Sequence, residues 1–307
     1  MADNLGSFKV FAEGGLNTNR DVLSQGERQP GSATLLTNYE PAITGGYRRI
    51  SGYSNDYGTV TGTGSVLGVV VADGINDGIL AARKPSSGNN YLHKWNNSSS
   101  SWDAITTSGS PTMVGVTKVR FTKYNFSAPK VILTDGINPA ATYDGSTYTQ
   151  ITHADAPTDP KFSAVFQNHM FLAGDPAEKT NLYFSAPNAE TDYSAANGAG
   201  VINVGFPIVA IKTFRDQLYI FGVTNIKRLS GNNVANFVLE QVTDDLGCLA
   251  TDSVVEIAGD LLFLSQDGLR PISGTNKIGD VNLESMSKNI QSILTDIVFD
   301  IDLEGLS

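Results

Sequence analysis

The sequence is short of the residues from which active sites and metal centres are most often built. Cys248 is the only cysteine, so no intrachain disulfide exists and the stapled framework of a small secreted domain is excluded. It lies in the apolar-leaning stretch Leu246-Gly247-Cys248-Leu249-Ala250, where a buried structural thiol is expected. The three histidines, His93, His153 and His169, form no i, i+3 or i+4 pair and none sits beside cysteine, so zinc-ligand spacing is missing. His169 follows Asn168 ahead of a β-rich run and reads as a turn residue. Charged residues make up 17% of the chain, below the roughly 25% usual for soluble domains. No apolar run approaches the roughly 18 residues that span a bilayer. Met1-Ala2-Asp3-Asn4 lacks the basic region and apolar run of a secretory signal, which points to folding in a cytosol.

Gly, Ser, Thr and Asn fill the space that charge leaves. Gly supplies positive φ and Asn or Asp tolerates it, so the mixture suits short strands joined by tight turns. All four are weak helix formers, and an all-β fold follows. The formal net charge is −10 over 307 residues, which gives no basic footprint for gripping phosphates and argues against sequence-specific nucleic-acid binding. That balance serves solubility or a wall past which a duplex slides without sticking. Charge alone does not separate the two.

Three textures succeed one another along the chain. Residues 1–55 read as an extended arm with one or two strands: Gly14-Gly15-Leu16-Asn17-Thr18-Asn19 is turn and loop, and glycine pairs interrupt the apolar runs. Residues 56–280 repeat a phrase, a β-rich run and then a turn. It occurs at Lys130 to Thr134, His169 to Gly174, Gln217 to Gly222 and Asp260 to Ser265, and a second strand follows each. Counted at Phe171, Tyr219 and Leu262 the period is roughly 40 to 50 residues, the scale of a four-stranded propeller blade. Blades stack face to face, so inner strands should be nearly unbroken apolar runs, as Leu218 to Phe221 and Leu261 to Leu264 are. A sandwich or barrel with similarly spaced hairpins is the alternative. In residues 281–307, Met286, Ile290, Ile293, Leu294 and Ile297 recur at helical steps, with Ser285 or Ser287 as the cap. A body beginning near residue 60 has room for about five blades at this spacing, so either the chain is incomplete at Ser307 or the N-terminal arm helps to close the ring. The Ser-rich stretch Asn96 to Ser101 reads as an inserted, mobile loop.

Catalytic motifs do not emerge. No G-x-S-x-G elbow precedes a helix. Thr61-Gly62-Thr63-Gly64-Ser65 has no following Gly-Lys-Ser/Thr and reads as a flexible linker rather than a phosphate loop. The Asp-Gly pairs at Asp73, Asp135 and Asp267 fit turn geometry better than the opposed carboxylates of a glycosidase or a twelve-residue calcium loop. Trp95 and Trp102 flank the Ser-rich stretch and make a weak sugar platform. No catalytic, metal or cofactor residue is assigned. The candidate interface residues are Tyr47, Arg48 and Arg49, an aromatic and two cations behind a glycine pair, the residue types favoured at interface hot spots. A half-exposed strand packed on its own body is the competing reading.

Gly14-Gly15-Leu16-Asn17-Thr18, Leu35 to Pro41 and Gly45-Gly46-Tyr47-Arg48-Arg49-Ile50-Ser51-Gly52-Tyr53 resemble the opening of tail nozzle (packaged-DNA stabilisation) proteins of tailed double-stranded DNA phages. The strand phrases from Phe166 through Ser185 and Ile208 through Gly231 are similar to theirs. The resemblance implies a propeller-like body behind an arm and no enzymatic role. It implies a hexameric ring of copies below the portal and adaptor, contacting other tail proteins. Packaged double-stranded DNA would be held there and later pass through, in a virion tail assembled in the host cytoplasm. Two other readings stay open: another virion part (tube, baseplate or receptor-binding module), and a glycan-acting propeller enzyme or lectin.

Overall fold

A computed structural model describes residues 14–19, 31–42, 44–75, 78–275 and 286–300. The fold is all-β, a five-bladed propeller of antiparallel sheets with a short helix near the C-terminus. Ahead of the blades, β1 (Tyr39–Pro41) and β2 (Tyr47–Arg49) pair with each other and with no other strand among the described residues. Blade I comprises β3 (Thr63–Val71), β4 (Ile79–Lys84), β5 (Leu92–Asn96) and β6 (Ser101–Ala104). Blade II runs through β7 (Arg120–Asn125), β8 (Pro129–Thr134), β9 (Ala141–Tyr143) and β10 (Tyr148–Gln150). Blade III holds β11 (Phe162–Phe166), β12 (His169–Ala173), β13 (Asn181–Phe184) and β14 (Gly200–Asn203). Blade IV holds β15 (Ala210–Phe214), β16 (Gln217–Phe221), β17 (Ile226–Ser230) and β18 (Val238–Thr243). Blade V shows three strands among the described residues: β19 (Val255–Ile257), β20 (Asp260–Ser265) and β21 (Gly268–Pro271).

Each repeated phrase of the sequence is the second strand of a blade, and its lack of alternation has a packing cause. Phe171, Leu172, Leu218, Ile220, Phe221, Leu261 and Phe263 are all buried, because one side chain faces the preceding blade and the next faces the following one. Each such burial is worth about 1.5–3 kcal/mol. Separate apolar clusters join blades I to II, II to III, III to IV and IV to V. No such cluster joins V to I among the described residues, and Val69, Val71, Val255 and Ile257 are exposed on the first strands of those two blades. The first strands of blades I to IV lie against one another in succession, which makes them the innermost.

Tight turns fix the register of the inner hairpins. Gln167-Asn168, Arg215-Asp216 and Ala258-Gly259 each link a first strand to a second as a two-residue loop with positive φ at both positions, the geometry whose twist matches the flanking strands. Close approach constrains Gly68. A Cβ there would collide with the carbonyl oxygen of Val119, at the place where Val119 N–H donates to Leu67 O at 2.9 Å and joins blade I to blade II.

Three local expectations need correction. Asn96 to Ser101 is no inserted mobile loop but the tight β5–β6 turn, closed by Asn96 Oδ1 accepting from Ser98 N (2.9 Å) and Ser99 N (3.3 Å). The glycine-rich Thr61 to Ser65 is no linker, since Thr63 already pairs with Lys84 in blade I and the irregular register absorbs the glycines. His169 is no turn residue: it begins β12 and is buried against Phe171, Phe184 and Phe237.

Past blade V come a one-turn helix α1 (Ile272–Thr275) and, from Lys288, a 3-10 turn (Lys288–Ile290) running into α2 (Gln291–Asp300). Ser287 precedes that turn without capping it. Its hydroxyl accepts from Leu269 N at 3.1 Å and donates to Gln291 Oε1 at 3.0 Å, seating the segment on β21. Ser285, the other expected cap, lies outside the described residues. The arm reaches this same segment: Thr18 N donates to Asn289 O at 2.8 Å and Ser292 N to Asn19 Oδ1 at 2.8 Å.

Candidate functional site

The predicted interface residues fall on β2, where alternation puts Tyr47 and Arg49 on one face and Arg48 on the other. Tyr47 is half-buried and works inside the arm, its hydroxyl within reach of Gly31 O (2.8 Å) and Gly15 O (3.1 Å). Arg48 Nε donates to Glu40 Oε1 across the β1–β2 pair at 2.7 Å, a solvent-facing ion pair of small energetic value. Arg49 is exposed. Tyr47 therefore orders the arm, and the two arginines are presented outward. Around them the arm leaves large apolar side chains in solvent, Leu35 at 77% and Tyr53 at 101% exposure, with Tyr39 and Ile50 also exposed.

A second set of residues, unmarked in the sequence reading, meets inside the ring. A cavity of about 350 Å³ is lined by the first strands of blades I to IV and by the segment leading into β19, so it lies on the propeller axis. Asp252, in the one-turn 3-10 helix Thr251–Ser253, reaches into it. Arg120 grips the Asp252 carboxylate with two parallel hydrogen bonds of 2.9 Å, and Lys118 Nζ lies 2.8 Å from the same group. Burial by itself would raise the Asp252 carboxyl, but the bonds from Arg120 and Lys118 outweigh it and hold it below the usual carboxylate range. This pair joins blades II and V, which are not neighbours in ring order. Phe162 separates the first cavity from a second of about 340 Å³ lined by connecting loops, and both Arg120 and Lys161 lie over its ring at 5.5 and 5.7 Å.

The two cavities together carry five cations (Lys118, Arg120, Lys161, Lys179, Lys212) against two carboxylates (Asp135, Asp252), the reverse of the chain's overall balance. Burial, and after it the nearby Arg120 guanidinium, lowers the pKa of Lys161. A sequence signal did exist. Lys118, Arg120, Lys161 and Lys212 sit at or beside the first strands of three successive blades, a repeat visible only once the blades are aligned on their inner strands.

Elsewhere, polar groups are absorbed by structure. Asp144 Oδ1 accepts from Ser146 N (2.8 Å) and Thr147 N (2.7 Å), which stabilises the charged form and lowers the carboxyl. Cys248 is buried, and burial raises its thiol pKa, the opposite of what a nucleophile needs. His93 is an exception: its Nδ1 is buried without a hydrogen-bond partner among the described residues, and burial lowers the pKa of the ring. Trp95 and Trp102 pack edge-on against one another at 5.5 Å, and Tyr57 meets Trp95 at 5.2 Å, so these rings lock the β5–β6 hairpin instead of forming an open platform. No group of three or more His, Cys, Asp or Glu placed to hold a metal occurs among the described residues, and no helix there is long and apolar enough to cross a membrane.

No family model matches the sequence, and no curated protein matches it. Among solved structures, the chain is similar to a crystal structure of BBS1N in complex with ARL6DN soaked with mercury, at 10% identity over 63% of this chain and 59% of that one, with a TM-score of 0.41. The same complex soaked with lead gives 11% identity, 67% and 64% coverage and a TM-score of 0.40. The extracellular domain of a protein described as the hybrid two component system BT4673 of B. thetaiotaomicron gives 14% identity, 76% and 35% coverage and a TM-score of 0.34. The chain thus spans less than two thirds of the length of each of these relatives.

Proposed function

We propose that this protein is a non-catalytic assembly subunit of a phage tail nozzle, forming a ring of copies that retains packaged DNA and lets it pass at ejection. The observation that carries the reading is the arm. A two-strand hairpin that pairs with no blade among the described residues carries exposed Tyr39, Arg48 and Arg49, and the segments flanking it expose Leu35, Ile50 and Tyr53; exposed apolar side chains and arginines on one arm are the material of a subunit contact. The axis supports the same reading. The Arg120–Asp252 bridge spans it, whereas a duplex has a major groove alone about 12 Å wide. DNA therefore takes a route between copies, and the net charge of −10 lets it slide at ejection without binding tightly to the wall.

Native mass spectrometry of the full chain tests this directly. A cyclic oligomer that loses its closure when Leu35, Ile50 and Tyr53 are replaced by serine, with unchanged thermal unfolding, is the expected result. Those side chains are exposed, so the variant keeps its fold. A monomer at every concentration, alone and with tail extract, overturns the assembly role, as does turnover of a polysaccharide. Presence of the chain in purified virions at a multiple of the ring number completes the test.

A further inference from the structure

The second axial cavity has the features of a ligand site that the assembly role does not use. Its volume of about 340 Å³ is at the lower end of the range of small-ligand pockets, about 300–1,000 Å³. Its walls are largely apolar, with Ile137, Pro176, Pro207, Ile208 and Val209 among them. Three charged residues line it: Lys161, Lys179 and Asp135. The carboxylate of Asp135 is already engaged by its own turn, Oδ1 accepting from Ile137 N (2.9 Å) and Asn138 N (2.8 Å), and Oδ2 from Asn138 Nδ2 (2.7 Å). Neither lysine has an ion-pair partner among the described residues, in contrast to Lys118 and Arg120, which share Asp252.

An unpaired ammonium taken partly out of water is costly unless a counter-charge meets it. Lys161 is half-buried; the Arg120 guanidinium and Lys179 bear on it with like charge, and Asp252 offsets them only in part, so its pKa stays lowered. In a chain of net charge −10, two cations without an ion-pair partner among the described residues, facing an apolar cavity, amount to a complement for negative charge on an apolar body.

We propose that this cavity binds a small organic anion, a carboxylate or phosphate carried on an apolar or aromatic group, with Lys161 and Lys179 meeting the charge and Ile208 and Val209 the body. The anion's contribution is local: it adds negative charge at Lys161 and Lys179, where Asp252 supplies only part of what Lys161 needs and forms no ion pair.

Sodium benzoate and phenyl phosphate are the probes, titrated into the full chain at low ionic strength by ligand-observed NMR and calorimetry, with benzyl alcohol and benzylamine as neutral and cationic controls. Both anions bind and both controls do not. Lys179→Gln, at an exposed position, weakens binding about tenfold; Lys179→Arg restores it; Lys161→Gln combined with Lys179→Gln removes it, with circular dichroism reporting that the fold persists. Equal binding of benzyl alcohol, undiminished benzoate binding in the double variant, or no binding by about 10 mM overturns the proposal. The result does not depend on whether the chain forms rings.

Discussion

Replacing Asp252 with asparagine removes the one negative charge that links the middle of the ring. The Asp252 side chain is 42% exposed and that of Arg120 17%, placing the pair between two regimes. Fully exposed ion pairs contribute about 0.2–1 kcal/mol, whereas breaking a buried pair costs about 3–5 kcal/mol. Bidentate geometry strengthens the interaction and the solvent-facing carboxylate weakens it, so Asp252→Asn should cost about 1–2 kcal/mol. For a chain of this size that lowers Tm by about 1.5–3 °C. The asymmetry of the site gives a sharper expectation. Arg120→Gln leaves Lys118 still beside the carboxylate, whereas Asp252→Asn strands both cations next to Lys161. The aspartate variant should therefore be the less stable, and 0.5 M salt should narrow the gap as screening shortens the reach of the repulsion. A double-mutant cycle of Arg120→Gln and Asp252→Asn, followed by denaturant unfolding, should return a coupling of about 1 kcal/mol. Additivity within about 0.3 kcal/mol, or an arginine variant weaker than the aspartate variant, refutes the account of a latch between blades II and V.

Acid should loosen the same contacts. Burial alone would raise Asp175, Glu190 and Asp252, but backbone amides and Thr158 at Asp175, Lys130 at Glu190, and Arg120 with Lys118 at Asp252 outweigh it and lower all three. A carboxyl depressed in the folded state stabilises above its unfolded pKa, and that stability is lost as pH falls through the folded value. Tm should hold down to about pH 5 and then drop towards about pH 3; a pH-independent Tm over that window contradicts the assignment. Gly68→Ala drives a methyl into the Val119 carbonyl and should cost about 1–3 kcal/mol by chemical denaturation. Ala258→Asn gives the β19–β20 turn the Asn-Gly pair its positive φ values favour, and should stabilise by about 0.4–1 kcal/mol; a fall in denaturation midpoint counts against that turn geometry. Asp252→Asn, by removing a competing anion from the column, should tighten benzoate binding in the titration above.

The repeat was legible because its cause is local. A strand covered on both faces must be apolar at nearly every position, and the runs at Met170 to Ala173, Leu218 to Phe221 and Leu261 to Leu264 say so without any partner being known. The helical steps from Ile290 to Leu294 are legible for the same reason. Long-range features left no comparable trace: Arg120 and Asp252 are 132 residues apart and Thr18 and Ser292 are 274 apart, and neither pair has a spacing that marks it. The inner hairpin turns were missed because Gln167-Asn168 and Arg215-Asp216 lack the glycine that usually announces two successive positive φ values; Arg215 is held there by stacking on Phe214 at 4.9 Å and by a hydrogen bond to Gly259 O. At the arm, Tyr47, Arg48 and Arg49 fall on one strand, while the large apolar residues with the most free surface, Leu35 and Tyr53, are ones that sequence reasoning assigns to a core by default.

The hydrogen bonds from Thr18 and Asn19 to Asn289 and Ser292 carry a consequence for timing. A ribosome makes Thr18 and Asn19 long before Asn289 and Ser292, so the earlier segment waits without a berth. An early-docked arm would have nothing of its own chain to rest on. Translation thus sets the moment at which these contacts can first form.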